Sequence, residues 1–185
     1  MQYINHYESP LGGILLAADG IGLTGLWFEG QKYYARTLDE KHEEKDLEVF
    51  RETRRWLDIY FAGQEPDFMP DVHLTGTQFQ VKVWELLRQI PYGQTVTYGE
   101  IARRLSIEEG GNEAGRAETG GTSARAVGGA VGHNKISIII PCHRVVGSDG
   151  SLTGYAGGVE RKVRLLQLEK AGLWRNFQRQ IPVQN

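Results

Sequence analysis

At 185 residues, 40% apolar and 24% charged, the chain can build one large domain or two small ones packed tightly together. Its single cysteine excludes an internal disulfide, its five scattered histidines give no Cys/His spacing of a structural zinc site, and no apolar run approaches the roughly 18 residues of a membrane span. The formal charge of −2 hides an asymmetry, because residues 1–74 hold 7 Lys/Arg against 14 Asp/Glu while residues 75–185 hold 14 against 9. The second half is the one suited to a polyanion, although a chance imbalance gives the same count. Met1-Gln-Tyr-Ile-Asn-His6 lacks a basic stretch leading into an apolar one, so a reducing, cytoplasmic setting is expected.

Tyr3 to Glu8, Ile14 to Ala18 and Leu23 to Phe28 read as short strands, with turn chemistry in Ser9-Pro-Leu-Gly-Gly13 and Asp19-Gly20. Leu47, Phe50, Leu57 and Phe61 then fall at helical spacing, which predicts a helix over 46–62 ended near Gly63. Residues 65–70, with Pro66 and Pro70, form a connector. The predicted division is therefore 1–74, a small structural α/β layer, and 75–185, where the remaining motifs lie.

Thr77-x-x-Gln80 and Thr97-x-x-Glu100 both fit the capping box and open predicted helices at about 78–90 and 98–105 around a Pro91-Tyr-Gly93 turn. Residues 106–122 carry five glycines, four Glu and one Arg, the composition of a flexible acidic loop. A third helix over 123–132 contains Ala124, Arg125, Ala126, Gly128 and Gly129. Each glycine costs a helix about 1 kcal/mol relative to Ala. Either close packing on another helix or close approach of a nucleic-acid backbone compensates.

Cys142 stands in Ile138-Ile-Ile-Pro-Cys-His-Arg-Val-Val146, a strand-like apolar run leading into a thiol, an imidazole and a guanidinium. An ordinary cysteine is only about 3% ionised at pH 7, so a nucleophilic role needs help from neighbours, for which His143 and Arg144 are the adjacent candidates. By residue type alone, the same thiol is an inert core side chain. On the last predicted helix, 159–171, the neighbours of Glu169 are Leu165, Leu166, Gly172 and Leu173, none of which can form a surface ion pair. A carboxylate on an apolar stripe needs a buried partner, and His143 is the candidate; an edge position that reaches water is the alternative.

These segments converge. Pro141-Cys-His-Arg-Val-Val146 resembles the active-site signature of the 6-O-alkylguanine-DNA alkyltransferases, or methylated-DNA–protein-cysteine methyltransferases. Phe79-x-x-x-Val83-Trp84, Ile90-Pro-Tyr-Gly93, Thr97-Tyr-Gly-Glu-Ile-Ala102, Ala124-Arg-Ala-Val-Gly128, Gly154-Tyr-Ala-Gly-Gly158 and Leu165-Leu166 through Glu169 follow in that family's order, with a weaker echo in Ser9-Pro-Leu-Gly12. The resemblance covers about 78–175. It implies an α/β (α+β) fold, with a small N-terminal sheet-plus-helix domain packed on a mainly helical C-terminal domain that carries a helix-turn-helix (winged-helix-like) module.

The resemblance implies direct-reversal DNA repair: one irreversible transfer of a methyl or other alkyl group from the 6-oxygen of guanine to Cys142, with the 4-oxygen of thymine as a second candidate substrate. No cofactor or metal is implied. His143 would act as base through a water, Glu169 would orient it, and Asn134 would tie the recognition helix to the active-site segment. Tyr98 would give a proton to the departing guanine. Arg125 would fill the gap left by the flipped nucleotide, with Thr97, Tyr98, Ala124, Ala126, Gly128 and Gly129 facing duplex DNA through its minor groove. Tyr155, Ala156, Gly157, Val145, Pro141 and Lys162 would form the substrate pocket. The protein is expected to act as a monomer, away from membranes.

Two departures from the family pattern stand out. The 106–122 insert replaces a short turn, and its negative charge is expected to weaken DNA affinity. Lys135 stands where the family often has proline, which predicts an added positive charge and a looser hinge. Three other functions use part of the same residue set. A non-catalytic lesion binder needs no cysteine, a Cys/His/Glu thiol hydrolase needs no DNA-reading helix, and a DNA-binding regulator needs groove-reading polar side chains where this helix has Ala and Gly.

Overall fold

The computed structural model describes residues 1–110, 122–152 and 154–169. Strands β1 (Gln2–Ser9), β2 (Gly12–Ala18), β3 (Leu23–Phe28) and β4 (His42–Glu44) form one sheet in the order β3-β2-β1-β4. The first three run antiparallel in the predicted places, and β4 adds to the edge in parallel with β1. Central β2 is covered on both sides, which explains its unbroken apolar run. Ile14, Leu16 and Ala18 enter the main core, while Leu15 and Ala17 meet Trp27 on the other face.

Helix α1 (Glu48–Phe61) packs Phe50, Trp56, Leu57 and Tyr60 into the main core. It ends at Ala62 followed by Gly63, whose φ of 83° is the left-handed conformation that glycine adopts without strain. The chain then crosses to α2 (Gln78–Arg88) and α3 (Tyr98–Glu108), each opened by the full capping box expected from Thr77/Gln80 and Thr97/Glu100. Helix α4 (Ala124–Gly132) is capped by Ser123, whose side chain accepts from Ala126 N. The buried Trp84 indole donates to Ala130 O at 2.9 Å, fixing α2 against α4. Two short parallel strands, β5 (Val96–Thr97) and β6 (Val145–Val146), flank this bundle, and α5 (Val159–Leu168) completes it. Among the described residues, no helix is long and apolar enough to cross a membrane.

Three expectations need correction. Ser106 to Glu108, assigned to the loop, finish α3 instead. Ser106 is buried and spends its hydroxyl on Ala102 O at 2.9 Å and Thr122 N at 3.2 Å, so the two ends of the insert are tied together. Residues 111–121 of the expected loop lie outside the described residues. The predicted 159–171 helix is seen through Leu168 with Glu169 as its cap, and residues 170 and 171 also lie outside them.

The apolar run before Cys142 is not a strand. Ile136 makes a single bridge to Leu26, with Leu26 N donating to Lys135 O at 2.8 Å and Ser137 N to Leu26 O at 3.0 Å. The chain then turns tightly, and Ile138 adopts a φ of 70°, a rare and costly conformation for a β-branched residue. The segment is apolar because it is buried on every side, a pattern that periodicity cannot separate from a strand. A second bridge, Leu23 to Val72, covers the same edge of β3. One sheet edge thus holds both the interhalf connector and the segment that delivers Cys142.

Candidate active site and nucleic-acid interface

Pro141 leads into a single 3-10 turn, Cys142–Arg144, that places thiol, imidazole and guanidinium in the core. Cys142 is 4% exposed and His143 is fully buried. The Asn134 amide donates to Cys142 Sγ at 3.1 Å and to Ile140 O at 2.8 Å, while its Oδ1 accepts from Ile136 N at 3.0 Å. Asn134 follows α4 directly, so one side chain joins that helix to the thiol.

Behind the imidazole sits Glu169, at the end of α5. Its Oε2 lies 2.5 Å from His143 Nε2 and accepts from Tyr60 Oη at 2.6 Å. Its Oε1 accepts from Arg144 Nε at 2.7 Å and from Gly93 N at 3.1 Å. Arg144 also donates to Ile90 O at 2.7 Å. Burial alone would raise the Glu169 pKa, but His143 and Arg144 overturn that and hold the carboxyl well below the usual carboxylate range. The Arg144 guanidinium bonded to Oε1 favours the ionised carboxylate even beside a neutral imidazole.

Burial lowers the pKa of His143 against the pull of Glu169. A neutral ring that donates Nε2–H to Glu169 carries its lone pair on Nδ1, and His143 Nδ1 is buried with no hydrogen-bond partner among the described residues. Burial pushes the Cys142 thiol up; Asn134 and Lys162 pull it down. Asn134 and Lys162 thus join the adjacent imidazole and guanidinium as groups that bear on the thiol. Lys162 is fully buried, donates to Val145 O at 2.5 Å, and has its pKa lowered by burial to about 8.

Arg125, Ala124 and Ala126 lie exposed on the first turn of α4. Beyond its own helix and among the described residues, a Cβ added at Gly129 would meet no atom within 4 Å, and one at Gly128 would only touch the Tyr98 ring at 3.9 Å. Packing against another helix therefore does not explain the glycines. Tyr98 is half-buried at the start of α3, and burial, then the charge of Cys142, raises its pKa. Thr97 spends its hydroxyl on the cap of the same helix.

Gly128, Gly129, Gly154, Tyr155 and Ala156 line a cleft of about 350 Å³ with Lys32, Tyr33 and His133. A larger one of about 820 Å³ lies between Pro10, Leu11, Phe61 and the outer face of α5, and contains no member of the thiol network. The loop bordering the smaller cleft is braced by the N-terminal half: Lys32 N donates to Ala156 O at 3.0 Å, and Arg161 reaches Gly157 O, Leu11 O and Glu29 O. Lys135, expected to loosen the hinge, is tethered in this structure. Its ammonium is bonded to Thr75 and lies 5.9 Å from the centre of the Trp84 ring.

The structure thus brings together Cys142, His143, Glu169 and Asn134, with Pro141, Val145 and Lys162 beside them. Arg125 stands apart on the surface. Sequence reasoning missed Tyr60, Ile90, Gly93 and the bond from Arg144 to Glu169. Ile90 and Gly93 carried a signal as the ends of the Ile90-Pro-Tyr-Gly93 segment, and Tyr60 carried one only in its i+3 spacing from Leu57 on α1.

In class, this is a protein with a buried thiol next to an imidazole that a carboxylate meets from behind, near a small-faced helix. Residues 78–171 match the family described as 6-O-methylguanine DNA methyltransferase, DNA binding domain, and residues 3–74 match its ribonuclease-like domain. A methylated-DNA–protein-cysteine methyltransferase of Haemophilus influenzae is 42% identical over 170 residues, covering 91% of this chain and 86% of that one. One from Methanosarcina acetivorans is 44% identical over 167 residues, covering 90% and 97%. The crystal structure of Mycobacterium tuberculosis OGT in complex with DNA superposes with a TM-score of 0.73 at 42% identity, covering 91% and 92% of the two chains. The chain belongs to the methylated-DNA–protein-cysteine methyltransferase family.

Proposed function

We propose that this chain repairs DNA by direct reversal, moving an alkyl group from the 6-oxygen of guanine onto Cys142 in one irreversible event. The observation that carries the assignment of residues is the pair of hydrogen-bonded sets Asn134–Cys142 and His143–Glu169–Arg144, brought side by side in the core by the adjacency of Cys142 and His143. His143, neutral and with Nδ1 available, takes the thiol proton through a water. The thiolate attacks the alkyl carbon, the sulfur–carbon bond forms, and the carbon–oxygen bond breaks with its electron pair passing to the guanine.

The departing base takes a proton from Tyr98, whose raised pKa keeps the phenol a donor at neutral pH. Because Cys142 is enclosed, the nucleotide has to leave the duplex to reach it. A lesion with weakened pairing is the one most easily extruded. Arg125 fills the gap in the stack, and the Ala/Gly face of α4 allows close approach through the minor groove. Tyr155 to Gly157 close on the base, with the flanking cleft as its approach. The division of labour falls near Thr75, with 1–74 bracing and 75–185 binding DNA and accepting the alkyl group. The protein works as a monomer in a reducing compartment.

The test is incubation with a duplex containing one O6-methylguanine, followed by peptide mass analysis. The expected result is a gain of one methylene on the peptide containing Cys142, absent in Cys142→Ser. Recovery of the lesion unaltered with no mass gain would sink the assignment and favour a lesion binder. Repeated turnover without a modified cysteine would favour a hydrolase.

A further inference from the structure

Tyr60 comes from α1, in the half that supplies none of the transfer motifs, yet its hydroxyl ends inside the relay. It donates to Glu169 Oε2 at 2.6 Å, the same oxygen that meets His143 Nε2, and lies 3.5 Å from Nε2 itself. The side chain is fully buried, stacked on Trp56 at 5.2 Å and met edge-on by Tyr92 at 6.2 Å. The hydroxyl is thereby held in place. Burial, and next the charge of Glu169, push its pKa up, so it remains a donor.

We propose that Tyr60 is a positioning residue for alkyl transfer: its bond to Glu169 Oε2 weakens that oxygen's hold on the His143 proton and keeps the ring neutral, with Nδ1 as the base. This rests on the reading of His143 as general base given above. A buried carboxylate that faced the imidazole with one oxygen wholly unshared would favour the imidazolium, and each further donor spreads its charge and lowers its basicity. Arg144 and Gly93 already occupy Oε1. Without Tyr60, Oε2 would keep only His143 among the bonds described.

The other groups around the ring set the balance. Arg144 and Lys162 oppose a second positive charge, and Glu169 favours one. Tyr92 and Tyr155 lie within the same field and stay neutral, since burial raises both. Cys142 favours the imidazolium only once it has ionised. Tyr60 acts on the Glu169 side of this balance.

Tyr60→Phe deletes one hydroxyl and keeps the ring. Single-turnover transfer from methylated duplex to the intact protein, followed from about pH 5 to 9, is expected to show the acid limb moved up by about one unit. A purely structural role would lower the rate at every pH and leave the limb in place. A variant that transfers with an unmoved limb overturns the proposal, whereas a wild type that places no alkyl group on Cys142 overturns the underlying reading instead. Nitrogen NMR of the wild-type imidazole decides the matter even where the variant does not fold. Protonated Nε2 with bare Nδ1 at neutral pH is expected, and a doubly protonated ring overturns the proposal.

Discussion

Arg144 donates through Nε to Oε1 of Glu169 at 2.7 Å, with the carboxylate side chain fully buried and the guanidinium 10% exposed. Removing one partner of such a pair leaves an unpaired charge in the core, which typically costs about 3–5 kcal/mol. Arg144→Met is expected to lose about that much in urea unfolding. Arg144→Met combined with Glu169→Gln is expected to lose less than the sum of the single changes, because the stranded charge is gone. Full additivity would show that the two side chains do not act as a pair.

Lys162 supplies a pH signature. Its folded pKa of about 8 lies below the usual lysine value, so between about 8 and 10.4 the unfolded chain binds more protons. Stability contributed by this group therefore rises with pH across that window and is lost again as pH falls through 8. Urea melts at several pH values are expected to show the rise in the wild type and its absence in Lys162→Met. The same variant is expected to raise the Cys142 pKa and slow modification of the thiol at neutral pH, since Lys162 helps pull it down.

Gly129 separates folding from binding. Its Cβ position is open, so Gly129→Ala is expected to stabilise the protein by up to about 1 kcal/mol through helix propensity. Affinity for duplex DNA is expected to fall at the same time, because the added methyl stands on the face read as the DNA surface. Calorimetry and a binding titration check the two effects on one sample. Unchanged DNA affinity would remove α4 from the interface.

Alkylation is expected to lower the melting temperature. Cys142 is nearly enclosed and its sulfur accepts from Asn134, so an added alkyl group overpacks the site by about 1–3 kcal/mol and disturbs that bond. Thermal melts before and after stoichiometric transfer make the comparison, and an unchanged midpoint would count against a fitted pocket.

Much of this architecture was written locally. The strands β1 to β3 follow from alternation and turn residues, and both capping boxes formed as their side chains dictate. Glu169 was legible as a carboxylate among leucines: Leu165 and Leu166 are buried, and Gly172 and Leu173 lie outside the described residues.

What the sequence concealed was long-range. Tyr60 meets Glu169 across 109 residues, and nothing near Tyr60 announces a carboxylate. Strand β4 is three exposed polar residues, held by pairing and not by an apolar face. The 136–140 segment imitates a strand because total burial and extended backbone select the same residue types. The tether of Lys135 was hidden because its partner, Thr75, stands 60 residues earlier in the chain.

The burial of Cys142 also decides who is allowed to use it. A reagent that can be spent only once is wasted by every stray oxidant or electrophile that finds it first, and a thiol 4% exposed with its pKa pushed upward offers such molecules little to attack. Enclosure then acts as a credential check. On the proposed mechanism, chemistry is released only to a molecule large enough to be gripped from outside and able to present its reactive carbon inward.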